Sequence, residues 1–203
     1  MAWRLDFALR SPESNWPILM TDYSAEQLAT TMEFVAAAKG IERPLTVTDP
    51  EQAKVRDAQI KEGRVPVPDL ERVGAPGMHL GDDKTEYSPS CEPGTLFLQD
   101  KVEIDRKEGF FDNVIGEGWS LIVNEAVSLP DVLSPETQQR YMSLFGGRLV
   151  QFYGQGSCKD ISGRYMEWFR DSNVQAVLVR PDYYIYGTAK TKDGIEGLVK
   201  SRP

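Results

Sequence analysis

The stretch from Gly63 to Gly94 constrains this chain more than any other feature. It carries Pro66, Pro68, Pro76, Pro89 and Pro93 together with Gly74, Gly77 and Gly81, and no apolar period of 2 or 3.6 persists across it. Proline removes an amide donor and fixes φ, while glycine loses the most backbone entropy on ordering, so neither helix nor strand propagates through such spacing. A run of about thirty residues without regular structure is unusual inside one compact domain, so the segment is expected to wrap a surface or to join two units. The chain is therefore read as a helical segment over 1–62, an irregular connector over 63–94 and an α/β domain over 95–203.

Before the connector the apolar spacing is helical. Trp3, Leu5, Phe7, Ala8 and Leu9 fit a short buried helix over 2–10 that Ser11-Pro12 ends. Ser24 is a suitable cap for a second helix, in which Leu28, Met32 and Val35 recur at helical spacing and Gly40 is the expected stop. Asp49 caps and Pro50 opens a third helix, running to about Lys61 with Gly63 after it. Its apolar content is thin (Ala53, Val55, Ala58, Ile60), which places it on the surface.

After the connector, strand-like and helix-like runs alternate. Residues 95–98 and 102–104 look extended, 110–115 form one helical turn ending at Gly116, and 118–123 are a buried strand. Ser134-Pro135 opens a helix carrying Tyr141, Met142, Leu144 and Phe145 to a stop at Gly146-Gly147. A strand over 149–153, a short helix over 165–169, a strand over 176–180, a hairpin partner over 183–186 and a closing helix over 195–200 complete the series. This is the order of a thioredoxin-like α/β domain. Tyr183, Tyr184 and Tyr186 are expected to divide between core and surface.

Charge and residue usage exclude several functions. With 23 Lys and Arg against 31 Asp and Glu, the net charge of −8 does not suit a general nucleic-acid binder. No apolar run approaches the roughly 20 residues of a membrane helix. The first residues also lack the charged-then-apolar order of a secretory signal, so a soluble cytoplasmic chain with no membrane partner is expected. Cys91 and Cys158 form no C-x-x-C and are too few for a four-thiolate zinc site; two free buried thiols are preferred to a disulfide. His79 is the only histidine, which excludes multi-histidine metal sites, and its neighbours Pro76-Gly77 and Gly81-Asp82 make it a loop residue. No metal is expected. Gly154-Gln155-Gly156-Ser157 follows a strand but lacks the third glycine of a dinucleotide fingerprint and reads as a turn. The acids Asp82-Asp83 and Glu103, Asp105 read as solvated loops.

Five segments, which occur in the same order as in one family, resemble it. Residues 176–187, Ala-Val-Leu-Val-Arg-Pro-Asp-Tyr-Tyr-Ile-Tyr-Gly, look like the closing hairpin of single-component FAD-dependent aromatic hydroxylases, the group that includes 3-(3-hydroxyphenyl)propionate hydroxylase. Residues 110–121 are similar to the family's helix-turn into its first thioredoxin-like strand, and 94–99 resemble the entry to that domain. Residues 2–10, Ala-Trp-Arg-Leu-Asp-Phe-Ala-Leu-Arg, resemble the Ala-Trp-Lys-Leu helix after the family's flavin-contacting loop, and 21–26 resemble its Asp-Thr-Tyr-x-x-Glu continuation. Where the family continues with Arg and a nearby Pro, this chain has Gln27-Leu28-Ala29.

The resemblance covers only the carboxyl-terminal third of that family. It implies an α/β fold: a thioredoxin-like domain without C-x-x-C, preceded by a helical remnant of the FAD/substrate region. FAD and monooxygenase (oxidoreductase) chemistry are implied by the family alone, because the strand-turn-helix that cradles the FAD pyrophosphate is not among these residues. No cofactor-binding residue is assigned, and FAD is not expected to be held by this chain alone. A thiol redox reading fails as well, since the position after the strand ending near Val123 reads Asn124-Glu125-Ala126-Val127. Three functions remain open: a truncated or split hydroxylase part with a structural or associative role, a stand-alone isomerase or cyclase on an aromatic or polyketide-like substrate, and a plain dimerisation module. For a catalytic role the candidate polar groups are His79, Arg180, Asp182 and Tyr186. Trp3, Leu5, Phe7, Leu28, Met32 and Val35 need a surface to cover them, by folding back on the tail or, as preferred here, by pairing in a homodimer or with a flavin-bearing partner chain.

Overall fold

The computed structural model describes residues 2–10, 16–64, 93–153 and 158–200. Three helices come first: α1 (Ala2–Arg10), α2 (Trp16–Leu45) and α3 (Pro50–Lys61). The remainder runs β1 (Lys101–Ile104), β2 (Lys107–Phe110), α4 (Phe111–Ile115), β3 (Ser120–Val123), α5 (Pro135–Phe145), β4 (Arg148–Gln151), β5 (Lys159–Asp160), α6 (Arg164–Ser172), β6 (Ala176–Val179), β7 (Ile185–Ala189) and α7 (Lys192–Lys200).

The main sheet has the order β4-β3-β6-β7. Strands β3 and β4 are parallel, joined by the α5 crossover, while β6 runs antiparallel to both β3 and β7. The mix of helices and strands agrees with the α/β class expected from the sequence. Every residue of β3 and of β6 is buried, as a sheet covered on both faces requires. Alternation divides the core in two. Leu121, Val123 and Leu178 face Tyr141, Ile195, Leu198 and Val199 of α5 and α7. Ile122, Val177 and Val179 face Tyr165 and Phe169 of α6 together with Phe97, Phe111 and Phe152. A smaller sheet, β2-β1-β5, stands beside α4.

Local chemistry explains the element ends that the sequence placed well. Asp49 accepts hydrogen bonds from the Glu51 and Gln52 amides at 3.1 and 2.9 Å, and α3 buries none of its residues. Ser134 caps α5, and Gly146 closes it at φ +60 in the left-handed region.

Elsewhere the structure departs from the sequence reading. Helix α2 neither starts at Ser24 nor stops at Gly40; it runs through both, with Pro17 in its first turn. The Ser24 hydroxyl donates to the Met20 carbonyl at 3.0 Å, satisfying itself within the helix. Strand β2 has no counterpart in the sequence pattern: its turn uses Asp105 (φ +50) and Arg106 (φ +67), where asparagine and glycine usually signal such a hairpin. Tyr183 and Tyr184 precede β7, Tyr183 at φ +70, so the expected alternation of tyrosines along one strand does not occur. Among the described helices none is long and apolar enough to cross a membrane. Cys158 is a buried free thiol. His79, Cys91, Gly154-Gln155-Gly156-Ser157 and most of the connector lie outside the described residues.

Candidate functional site

Two of the four candidate polar residues meet where β6 turns into β7. Arg180 is 4 % exposed. Its Nε donates to Asp182 Oδ1 at 2.9 Å and its Nη2 to Asp182 Oδ2 at 2.7 Å, a two-pronged pairing that suits the planar guanidinium. The other edge reaches α2, with Nη1 on Glu26 Oε1 at 2.9 Å and Nη2 on Glu26 Oε2 at 3.2 Å. Arg4 of α1, 1 % exposed, donates through Nη2 to the same Glu26 Oε1 at 2.5 Å. The Trp3 indole Nε1 closes the set by donating to Asp182 Oδ2 at 2.9 Å.

Two positive and two negative groups thus form a neutral cluster in which Arg4, Arg180 and Glu26 are buried and Asp182 is half-buried, the form in which buried charge is tolerable. Arg4 and Arg180 lie 4.7 and 5.2 Å from the Trp3 ring centroid, so one indole serves both cations. Burial disfavours the Arg180 charge, and the bonds from Asp182 and Glu26 overcome this and raise its pKa. Burial likewise pushes the Asp182 carboxyl up, but the guanidinium and the Trp3 indole hold it below its ordinary value. A carboxylate so committed is a poor proton acceptor, and the arrangement clamps α1 and α2 onto the tail. Tyr186 lies elsewhere, at 0 % exposure behind Trp119, whose ring it meets edge-on at 5.2 Å.

Beside the clamp a cleft of about 610 Å³ opens between α1 and the ends of β3 and α5, walled by Trp3, Phe7, Trp119, Phe145, Arg148 and Asp182. Trp3 meets Trp119 at 5.3 Å and Phe7 stacks on Phe145 at 4.8 Å. Part of the amino-terminal apolar surface therefore folds back on the tail. Leu28, Met32 and Val35 of α2 stay exposed.

The tail offers no thiol chemistry at the expected position and no phosphate cradle on its described α5 and α6. Asn124 Oδ1 accepts from the Ala126 amide at 3.0 Å, and its Nδ2 donates to the Val174 carbonyl at 3.3 Å, closing the loop after β3. Burial, then the charge of Asp160, pushes the Cys158 thiol up to about 12, far from a reactive thiolate. The start of α5 already holds the Glu196 carboxylate, which accepts from the Ser134 amide at 2.9 Å. That of α6 holds Asp160, which accepts from the Tyr165 and Met166 amides at 2.8 and 3.0 Å. A diphosphate would meet negative charge at both helix starts, so these residues do not fit FAD.

The profile of a family described as the HcaD C-terminal domain matches residues 94–200, more than half of the chain. The chain belongs to this family. Outside the HcaD C-terminal domain the similarity continues: a probable NADH-specific resorcinol 4-hydroxylase from Rhodococcus jostii (strain RHA1) is 27 % identical over 208 residues, covering 98 % of this chain and 36 % of that protein. Aklavinone-11 hydroxylase, solved in a ternary complex with FAD and aklavinone, superposes with a TM-score of 0.64 at 19 % identity, over 98 % of this chain and 37 % of that one. The rebeccamycin biosynthetic enzyme RebC, with reduced flavin, gives 0.60 at 15 %, over 97 % and 39 %. The HcaD-type chain thus spans about two fifths or less of the length of these relatives and is homologous to the carboxyl-terminal part of FAD-dependent hydroxylases.

Proposed function

We propose that this chain is the structural and associative part of a phenolic-substrate hydroxylase in the cytoplasm, not catalytic alone, and that it docks against a flavin-bearing polypeptide. The observation that carries this is the outer face of α2. Leu28, Met32 and Val35 lie one helical turn apart, 63, 64 and 45 % exposed, on a helix that the Arg180 cluster fixes to the tail. An apolar stripe held rigid and left open is suited to a partner surface. The greater length of the relatives supports a partner that supplies what they contain beyond the matched third. A stand-alone isomerase or cyclase is less well supported, since Arg180 and Asp182 are saturated by each other, Glu26 and Trp3.

The test supplies the missing portion. The resorcinol hydroxylase relative, cut before its matched segment, is co-expressed with this chain and the mixture examined by light scattering and flavin absorbance. A one-to-one complex retaining FAD is expected, weakened at least about tenfold by Met32→Glu, a difference of about 1.4 kcal/mol. Absence of a complex, or saturable FAD binding by this chain alone below roughly 10 μM, overturns the reading.

A further inference from the structure

Arg148 is the exception among the inward-turned arginines. Arg4 and Arg180 each have carboxylate partners, whereas no carboxylate among the described residues lies within ion-pair distance of Arg148; its buried Nη1 has no hydrogen-bond partner, as is also true of Arg4 Nε. The local backbone is shaped around this side chain. It lies over Gly116 and Gly118, at φ +86 and +123; a Cβ on Gly118 would stand 2.8 Å from Nη1, and one on Gly116 3.3 Å from Nη2. The acids that line the same cleft do not serve it: Asp6 is paired with Arg10 at 2.8 Å, Asp182 belongs to Arg180 and Trp3, and Glu117 is exposed. Nη1 is sealed against Gly118, so the donors this guanidinium keeps for a ligand in the aromatic cleft are Nε and Nη2, which have no carboxylate partner among the described residues.

We propose that the cleft between α1 and the ends of β3 and α5 binds a planar aromatic carboxylate, with Arg148 taking the carboxylate and the aromatic walls taking the ring. Its volume of about 610 Å³ falls in the range of small-molecule sites. Trp3, Trp119, Phe7 and Phe145 provide edges and faces for an aromatic ring. A guanidinium fork matches a carboxylate better than it matches a neutral carbonyl. The site is separate from the α2 stripe and does not depend on a flavin-bearing partner.

The full chain is titrated with benzoate, benzamide and inorganic phosphate while the tryptophan indole resonances are followed by NMR. Trp168 serves as the internal control, because it packs on Phe97 and Phe169 in the other half of the core. Benzoate is expected to shift Trp3 and Trp119 saturably and to leave Trp168 in place. Benzamide and the Arg148→Gln variant should each lose about tenfold in affinity, and phosphate should leave the Trp3 resonance unmoved. Equal binding of benzoate and benzamide, a phosphate response equal to that of benzoate, or no response to benzoate overturns the proposal. The comparison of benzoate with benzamide uses the unaltered chain, so it decides even where Arg148→Gln fails to fold.

Discussion

Glu26 is the carboxylate on which two buried arginines converge, and at the scale of single residues it is the costliest to remove. Glu26→Gln keeps the shape but leaves Arg4 with no carboxylate and Arg180 with Asp182 alone. A loss of about 3–5 kcal/mol in chemical denaturation is expected, as for one partner taken from a buried ion pair. Asp6→Asn, which breaks an exposed pair with Arg10, should cost no more than about 0.5 kcal/mol. Similar costs for the two would show that the cluster does not clamp the helices. Glu196 gives a pH-dependent counterpart. Burial works against its charge, but bonds from Thr137, Lys200 and Ser134 lower the carboxyl from 4.5 to about 2. A group depressed on folding stabilises fully above its unfolded pKa and loses that contribution as pH falls through the folded value. The melting-temperature gap between the parent and Glu196→Gln should therefore stay constant down to about pH 4.5 and close toward about pH 2. Arg180 and Asp182 were legible as candidates because they stand two apart in a resembling motif. Glu26 was visible only as part of a motif, since a lone acid in a helix looks solvated and its partner lies 154 residues away. Arg148 gave no signal, because its environment is made by two glycines and a helix from separate parts of the chain.

Elements whose ends are set by their own neighbours were legible; those set by distant partners were not. Asp49-Pro50 and Ser134-Pro135 fixed the starts of α3 and α5 because cap and first turn are contiguous. Strand β5 is two residues long and exists through its pairing with β1, so no local pattern marks it. The same distinction gives Gly40 a test of sign. Placed inside α2 with nothing within 4 Å of a Cβ, Gly40→Ala should raise stability by about 1 kcal/mol, read by thermal melting. A fall would restore the helix stop that the sequence suggested. In the sheet, Val179 is 2 % exposed and paired with Ser120 beside Trp119, so Val179→Ala should cost about 1–3 kcal/mol. An unchanged melting temperature would contradict this register.

At the scale of the whole molecule, attachment to the tail is graded along the helices. Arg4 and Glu26 are buried, the middle of α2 is open on its outer face, and α3 buries nothing. Limited proteolysis followed by mass mapping should cut within α3 before it cuts α1 or the first turns of α2, and Glu26→Gln should abolish that order. Early cleavage in α1 of the parent protein would show the clamp to be weak. The cluster has one more consequence, in time. Apart from the Arg180–Asp182 pair, two residues apart, its contacts join residues 22 apart in one case and 154 to 179 apart in the others. During synthesis at about 5–20 residues per second, Arg180 follows Glu26 by several seconds or more, and in that interval the nascent Glu26 has only Arg4 to hold it. The pairing of α1 with α2 is thus provisional until β6 and β7 have been made and lock it in place.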